Sequence, residues 1–230
     1  MFQDKSLQFG QADLSAQVAQ MKKLGVGFVM TCMDQNGVFT LAKEMKKQNL
    51  DAVQSLPQGY DQAFIAANKS YFEGDYVAPR FLAFEQTPQP PEMKKYFEWI
   101  EKENKKPVEL SMHGWIAANQ FVTGLKLAGP DFTREKVIQA LNGLTDFTAN
   151  GLVAPIDWTK QHEDPAKNPQ AGGKLDCSNS VIVKNGKFVP VFAQGDKPWV
   201  CFSSADTHPG DETPIPLPKP TNYSFAPSGN

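Results

Sequence analysis

The chain has 230 residues and a formal net charge of −2, so it lacks the basic field of a general nucleic-acid binder. Hydrophobic residues make up 40% and aromatic residues 11%, as expected for a globular protein with a sizeable core. No apolar run reaches the roughly 18 residues that a membrane-spanning helix needs. The first ten residues, MFQDKSLQFG, lack an export-signal pattern, so either the chain is intracellular or its signal is not part of this sequence.

Residues 13–84 alternate between helical and strand patterns, with turns of a few residues between them. Such alternation predicts right-handed crossovers and a parallel sheet. The predicted helices are 13–25, with Asp13 as the N-cap, 38–49 and 62–68. The predicted strands are 26–31, 52–56 and an irregular strand over 74–84.

Two polar turns follow the first two strands: 31–37 (TCMDQNG) and 57–61 (PQGYD). Loops after parallel strands lie at the same edge of a sheet, so these turns are expected to be neighbours. They offer six polar side chains: Asp34, Gln35, Asn36, Gln58, Tyr60 and Asp61. N-cap and turn chemistry explains Asp34, Asn36 and Asp61. Amide and phenol groups at such an edge suit reversible hydrogen bonding to a small polar ligand.

Residues 85–91 (EQTPQPP) are too rich in proline for a helix or a central strand, and we interpret them as a linker. Pro90 or Pro91 then starts a helix. A long apolar helix follows over 110–128, and Thr133 caps another. Residues 91–144 are therefore predicted to be helices with no strand among them. Such helices need a sheet to cover, and this part of the chain supplies none.

From Gly151 onward the pattern is β-like. Residues 180–191 (SVIVKNGKFVPV) predict a hairpin, because Asn-Gly tolerates the positive φ angles of a tight turn between apolar runs. Residues 203–230 carry few core residues and are expected to be a loosely ordered tail. The three cysteines Cys32, Cys177 and Cys201 leave two readings open: one pair with one free thiol, or three reduced thiols.

Catalytic, metal and nucleotide signatures are weak. A nucleophilic Cys32 needs a histidine base, and none of His113, His162 and His208 has a motif that ties it to Cys32. No metal-ligand spacing and no glycine-rich phosphate loop occurs, so no cofactor is predicted. Trp115, on the apolar helix, is interpreted as core.

The order of segments resembles a known family. DLSAQVAQMKKLGVGFVMTCMDQNGVFTLAKEMKKQNLDAVQSLPQGYDQAF resembles the second lobe of type I periplasmic substrate-binding proteins, and most closely the branched-chain amino-acid (Leu/Ile/Val) binding family of ABC importers. The resemblance continues through ELSMHGWIAANQFVTGLKLAGPDFTREKVIQAL, GLVAPIDW and VIVKNGKFVPV. It covers about residues 8–202 and rests on the order and spacing of segments.

The resemblance implies an α/β fold of the periplasmic-binding-protein type I kind: a parallel Rossmann-like lobe, helices of an incomplete lobe and a C-terminal hairpin. Residues 8–86 are then the ligand-binding second lobe, and 87–150 are helices of the first lobe. Residues 151–202 are a return crossing and a hairpin that complete the second lobe, before the tail at 203–230. The first-lobe sheet of the family is missing, so we expect a C-terminal fragment that binds ligand poorly by itself.

The resemblance also implies site residues. The ligand-facing positions are Cys32, Met33, Asp34 and Gln35 in the first turn, and Gln58 and Tyr60 in the second. Amino-acid binders place an acidic residue where this chain has Gln58, and a neutral amide is a weaker partner for an ammonium group. A carboxylate, an amide, a urea-like compound or an aromatic solute then fits at least as well as an amino acid. Because exported proteins are oxidised, a Cys177–Cys201 disulfide is favoured.

The implied function is a non-catalytic solute-binding component of an ABC importer that closes on its solute about a hinge and docks on the permease transmembrane subunits. The implied location is periplasmic or extracellular, as a lipid-anchored protein in the complete form, with no nucleic-acid partner. A dimer or an exchange of elements between two copies is a further expectation for a fragment. Two alternatives from other classes are a ligand-sensing domain of a receptor or transcription regulator with the same fold, and an enzyme that uses Cys32.

Overall fold

A computed structural model describes residues 2–7, 10–164, 175–193, 196–203 and 221–223. The helices are α1 Ser15–Lys23, α2 Gln35–Lys47, α3 Gln62–Ala67, α4 Lys69–Phe72, α5 Pro91–Lys102, α6 Glu109–Ala128 and α7 Arg134–Asn142. The strands are β1 Phe28–Met30, β2 Val53–Ser55, β3 Tyr76–Val77, β4 Leu175–Ser178, β5 Ser180–Lys184, β6 Lys187–Val191, β7 Trp199–Ser203 and β8 Thr221–Tyr223.

The chain divides into two compact units. The first unit comprises Met1–Pro79, Val108–Leu110 and Ser180–Val191, and the second comprises Arg80–Pro107, Ser111–Asn179 and Phe192–Asn230. The division of the sequence into two lobes at 86/87 and 150/151 stays a prediction.

The first unit contains a five-stranded sheet in the order β1-β2-β3-β5-β6. Strands β1 and β2 pair in parallel, with Phe28 opposite Val53 and Met30 opposite Ser55. Strand β3 continues the parallel set, and the β5–β6 hairpin adds antiparallel to β3. The predicted α/β class with a parallel sheet is therefore confirmed, and so is the hairpin turn at Asn185–Gly186.

One face of this sheet is covered by α1 and α2. Helix α1 repeats its apolar residues at helical spacing, so Val18 and Met21 lie on one side of it. They join Leu14, Val29, Leu41 and Met45 in one buried cluster. Val29, the middle residue of β1, thus packs against the helix that precedes the strand and the helix that follows it.

A buried carboxylate lies inside the sheet. Asp75, which is 5% exposed, accepts a hydrogen bond from the backbone N–H of Gln54 at 2.7 Å. Its second oxygen accepts from Gln54 Nε2 at 3.2 Å. Burial raises the pKa of Asp75 to about 7, although both hydrogen bonds from Gln54 pull that pKa down. The interaction ties the entry of β3 to the middle of β2.

The second unit has an aromatic core. Tyr96 of α5 is fully buried, stacks on Phe84 at 5.8 Å between ring centroids and meets Trp115 edge-on at 5.7 Å. The indole N–H of Trp115 donates to Glu92 at 2.9 Å, and Trp115 is only partly buried, so it packs at the edge of this core rather than inside it as predicted. A three-stranded sheet, β4-β7-β8, carries the predicted disulfide between Cys177 and Cys201, which face each other across β4 and β7.

Some predicted elements differ from those observed. Helix α1 begins at Ser15 after Leu14 as N-cap, and Asp13 instead accepts a hydrogen bond from the Ser15 N–H at 2.9 Å. Helix α2 begins at Gln35 rather than 38, because Asp34 caps it. The third strand is only Tyr76–Val77, so the prediction of strand as far as residue 84 is wrong.

The helices over 91–144 and the start of α5 at Pro91 are as predicted. Helix α4 was not predicted from the sequence. Most of the predicted tail lies outside the described residues, but Thr221–Tyr223 within it pair with β7. Of the described helices, none combines the length and hydrophobicity that crossing a membrane requires.

Candidate functional site

The two polar turns start from neighbouring strands that point in the same direction. Met30 and Ser55, the last residues of β1 and β2, are paired in register. The loops that follow them, 31–34 and 56–61, therefore leave the same edge of the sheet. This confirms the predicted shared edge, which we call the strand-end rim and define as residues 31–35 and 56–61.

The first loop ends in a helix cap. Asp34 has extended backbone angles, and its carboxylate accepts a hydrogen bond from the Gly37 N–H at 3.0 Å. Gly37 permits this close turn, because a Cβ there would lie 3.0 Å from both Asp34 Oδ1 and Met33 Cβ. One oxygen of Asp34 is thus committed to α2, which satisfies the predicted capping role. Gln35, the first residue of α2, is partly exposed beside it.

The second loop is shaped by its backbone. Gln58 is exposed and has a φ of +52°, a left-handed conformation that non-glycine residues adopt uncommonly. Next to it, a Cβ on Gly59 would lie 2.6 Å from the Cβ of the buried Leu56, so a side chain at position 59 would require a shift of the loop. Asp61 caps α3 by accepting from the N–H groups of Ala63 and Phe64. The loop therefore presents Gln58 at its tip.

Tyr60 has a different setting from the other predicted ligand residues. It is 2% exposed, and its ring meets that of Phe188 edge-on at 4.8 Å between centroids. Its backbone bonds twice to Glu109: the Glu109 N–H donates to the Tyr60 carbonyl at 3.3 Å, and the Tyr60 N–H donates to Glu109 Oε2 at 3.4 Å. The ring thus packs in the core below the loop.

Glu109 is a rim neighbour that the sequence did not predict. It is the first residue of α6 and belongs to the first unit, although it lies 49 positions after Tyr60 along the chain. The local pattern shows only an acidic residue in the first turn of a helix, where the helix dipole favours one. The contact with residue 60 depends on the tertiary fold, so no local signal identifies it.

An open groove runs along β1 within the first unit. It has a volume of about 990 Å³ and is lined by residues of the N-terminal segment, of α1 and of 24–33. Of the predicted ligand residues, Cys32 and Met33 line this groove, whereas Asp34, Gln35, Gln58 and Tyr60 do not. The Oγ1 atom of Thr31, also in the groove lining, is buried and has no hydrogen-bond partner in the described part of the chain.

The described residues do not assemble a catalytic or metal constellation around Cys32. Cys32 is the exposed free thiol. His113 lies edge-on against Phe81, and His162 lies near the ring of Trp158. His208 lies outside the described residues. Across the described ranges, no group of three or more His, Cys, Asp or Glu side chains is placed to hold a metal ion.

The fold and the sequence pattern lead to the same class of protein, an α/β lobe with polar loops at the carboxyl ends of its parallel strands. Residues 2–170, which are most of the chain, match the family described as periplasmic binding protein. The chain belongs to the periplasmic binding protein family. No curated protein matches it.

Solved structures share the fold. A branched-chain amino acid ABC transporter protein from Thermus thermophilus, with bound valine, aligns with a TM-score of 0.64 and 22% identity over 81% of this chain and 50% of that one. A fatty acid ABC transporter substrate-binding protein from Thermomonospora curvata aligns with a TM-score of 0.62 and 20% identity over 79% and 46%.

A solute binding protein from R. palustris in complex with benzoate aligns with a TM-score of 0.57 and 16% identity over 80% of this chain and 48% of that one. The chain therefore spans about half the length of each of these solved relatives.

Proposed function

We propose that this chain forms one wall of the solute site of a non-catalytic substrate-binding protein that serves an ABC importer. The solute is a small polar compound: an amino acid, an amide, a urea-like compound or a carboxylate. The observation that supports the proposal is the strand-end rim, where two neighbouring parallel strands end in the loops that carry Asp34, Gln35 and Gln58, in a chain of the periplasmic binding protein family.

The chemistry of the rim supports binding rather than turnover. Gln35 and Gln58 offer amide donors and acceptors that bind a polar solute reversibly. The unpaired, buried hydroxyl of Thr31 at the head of the first loop is a donor and acceptor that a solute or a water molecule would satisfy. The left-handed Gln58 fits the same proposal, because such conformations cluster at ligand contacts.

We propose a role for each of the six predicted residues. Gln35 and Gln58 contact the solute directly. Cys32 and Met33 give it an apolar flank, and the free oxygen of Asp34 accepts from it. Tyr60 holds the second loop in place through its packing on Phe188.

Binding of solutes by the whole protein tests the proposal. Isothermal titration with L-valine, benzoate and acetamide samples a zwitterion, an anion and a neutral amide. The first two are solutes found in solved relatives. We expect saturable binding of at least one of them, weakened tenfold or more by Gln58→Ala and by Gln35→Ala. The matched control is Gln139→Ala, an exposed glutamine of α7 in the second unit, which should leave the affinity unchanged.

We extend this proposal to the role of the whole protein in transport. The whole protein acts outside the cytoplasmic membrane, closes about a hinge on its solute, and presents the closed form to permease subunits. Stimulation of a reconstituted importer by the solute-loaded protein is the measurement for this step. If the protein bound solutes and no transporter responded, the alternative role as a ligand-sensing domain would be favoured.

A further inference from the structure

The first unit carries a positive surface that the proposed function does not use. It consists of five exposed lysines: Lys43 and Lys46 of α2, Lys69 of α4, and Lys184 and Lys187 at the ends of β5 and β6 that flank the hairpin turn. We propose that these five residues, which we call the lysine face, bind the surface of a membrane that contains anionic phospholipids. The inference concerns a second surface and goes beyond the solute site.

Direct contacts join the elements that carry the lysine face. Lys46 Nζ donates a hydrogen bond to the carbonyl of Ser70 at 3.2 Å, and so links α2 to α4. The hairpin turn lies against the start of α4, because a Cβ on Gly186 would lie 2.9 Å from Lys69 Cβ. The two hairpin lysines flank this turn and lie opposite each other in the β5–β6 register. The five lysines therefore form one patch within the first unit.

Aromatic rings lie beneath two of the lysines. Lys43 Nζ lies 4.6 Å from the ring centroid of Phe39, and Lys46 Nζ lies 4.7 Å from that of Tyr71. The two rings meet edge-on at 5.4 Å between their centroids. A lysine in this setting lays its apolar stem along the ring and keeps its ammonium group in water. The rings therefore hold two of the charges above the junction of α2 and α4.

Carboxylates leave most of the positive charge of the lysine face in place. In the described part of the chain, none of its five lysines forms an ion pair, whereas the adjacent Lys47 pairs with Glu44 at 3.2 Å. Glu73 approaches the face, because its Oε2 accepts from the backbone N–H of Asn185 at 2.8 Å. One glutamate offsets one of five lysines. The face is thus positive although the whole chain has a formal charge of −2.

The residue type favours a lipid surface over a protein partner. All five cations of the face are lysines, and the two arginines of the chain, Arg80 and Arg134, belong to the second unit. The planar fork of arginine recognises carboxylates held in fixed positions, and protein interfaces are enriched in arginine and depleted of lysine. Lysine is a point charge on a flexible stem, which suits headgroups that diffuse in the membrane plane. Each lysine near an anionic surface strengthens binding about fivefold.

Sedimentation of the full chain with lipid vesicles tests the proposal. The probes are vesicles of phosphatidylcholine alone and vesicles of equal parts phosphatidylcholine and phosphatidylglycerol. We expect the chain to sediment with the anionic vesicles and to stay in solution with the neutral ones. The affinity should fall steeply with added salt, because the screening length shortens from about 30 Å at 0.01 M to about 8 Å at 0.15 M. Equal binding to both kinds of vesicle would overturn the proposal.

A triple substitution locates the binding surface. Lys43→Gln, Lys46→Gln and Lys69→Gln together remove three charges from the lysine face, and we expect the affinity for anionic vesicles to fall at least about tenfold. The same three positions changed to arginine should keep the affinity within about twofold, because arginine carries the same charge. This second variant separates the loss of charge from a loss of packing on Phe39 and Tyr71.

The matched control removes three exposed lysines from α5 in the second unit, where they alternate with glutamates. It combines Lys94→Gln, Lys95→Gln and Lys102→Gln. The net charge changes by the same amount as in the first variant, so the affinity for anionic vesicles should stay within about twofold if the lysine face is the surface that binds. Equal losses in the two variants would mean that total charge matters and would overturn the proposal.

The remaining outcomes also decide the proposal. Failure of the unaltered chain to bind anionic vesicles overturns it, and so does full binding by the triple glutamine variant. Binding to poly-L-glutamate without binding to vesicles overturns it as well and indicates an acidic protein as the partner. Solute binding is measured separately by isothermal titration, so the solute-binding function stands or falls independently of the lysine face.

Discussion

Helices α2 and α6 use their apolar residues in opposite ways. Helix α2 has 13 residues and buries five of them against the first unit, on one stripe that begins at Gly37 and ends at Met45. Helix α6 has 20 residues and buries only two, Met112 and Gly124. Large apolar side chains of α6, including Phe121 and Leu127, are more than half exposed.

The difference in burial shows that an apolar pattern indicates packing against the chain itself in α2 but not in α6. In α2 the apolar stripe has a matching surface in the sheet of its own unit, so the pattern and the packing agree. In α6 the apolar residues exceed the surface that the described chain offers them. Phe132 and Ile138, on the loop before α7 and on α7 itself, extend the same exposed apolar character. Residues with the composition of a core therefore lie at the surface of the second unit.

Two substitutions test this comparison most directly: Phe72 of α4, whose ring centroid lies 6.1 Å from that of Phe39 on α2, and Phe121 of α6. Phe72→Ala removes a fully buried ring that packs on Phe64 at 5.3 Å, and we expect the free energy of unfolding to fall by about 3–5 kcal/mol. Phe121→Ala removes a ring that is 57% exposed, and we expect a change within about 0.5 kcal/mol. Urea unfolding followed by circular dichroism measures both. Equal losses would mean that α6 is covered by something in solution.

The buried carboxylate of the first unit gives the next largest effect. Because burial raises the pKa of Asp75 from its usual 3.8 to about 7, the folded chain binds more protons than the unfolded chain between these values. Its contribution to stability is fully present below pH 3.8 and is lost as pH rises through 7, by up to about 4 kcal/mol in all.

Asp75→Asn removes the titration but keeps an oxygen that accepts the Gln54 N–H. The stability of this variant minus that of the unaltered protein should therefore grow between pH 4 and pH 7 and stay constant above that. Urea midpoints at pH 4.5, 6 and 8 measure it. Parallel pH profiles for the two proteins would show that Asp75 ionises in the native state at its usual pKa.

The Cys177–Cys201 disulfide provides a test of stability within the second unit. Cys177 and Cys201 are 24 residues apart, so loss of the cross-link by a double substitution to alanine should cost about 3 kcal/mol. Reductant should destabilise the unaltered protein and leave the double variant unaffected. The control is Cys32→Ala, which removes the exposed free thiol and should have almost no effect. A reductant effect on the double variant would point to a different origin.

The cap of α2 gives the smallest effect. Asp34→Ala leaves the Gly37 N–H without its acceptor, and we expect a loss of about 1 kcal/mol. Asp34→Asn should retain the cap and lose only a few tenths of a kcal/mol, because asparagine caps helices about as well. Thermal unfolding measures the totals, and amide hydrogen exchange in the first turn of α2 locates the change. Identical behaviour of the two variants would exclude a capping role.

Local chemistry explains the elements that the sequence predicted well. Asp34, Asp61 and Thr133 stand where side-chain oxygens can satisfy the first N–H groups of a helix, and each of them caps one. Pro91 starts α5 and Asn185-Gly186 turns the hairpin for equally local reasons. The conformation of residues 78–84 was harder to predict, because their apolar composition suits burial in any conformation. Phe81 and Ala83 are buried without being part of a strand.

The sequence by itself determined the order of helices and strands, the parallel direction of β1 and β2, the shared edge of their loops and the resemblance to the periplasmic binding protein family. These features depend on spacing, turn residues and capping, which act over a few positions. The tertiary structure alone decided that Tyr60 packs inward, that Asp75 lies buried beside Gln54 and that Glu109 returns to the rim. Those outcomes depend on contacts between residues 20 to 130 positions apart, and no local pattern encodes them.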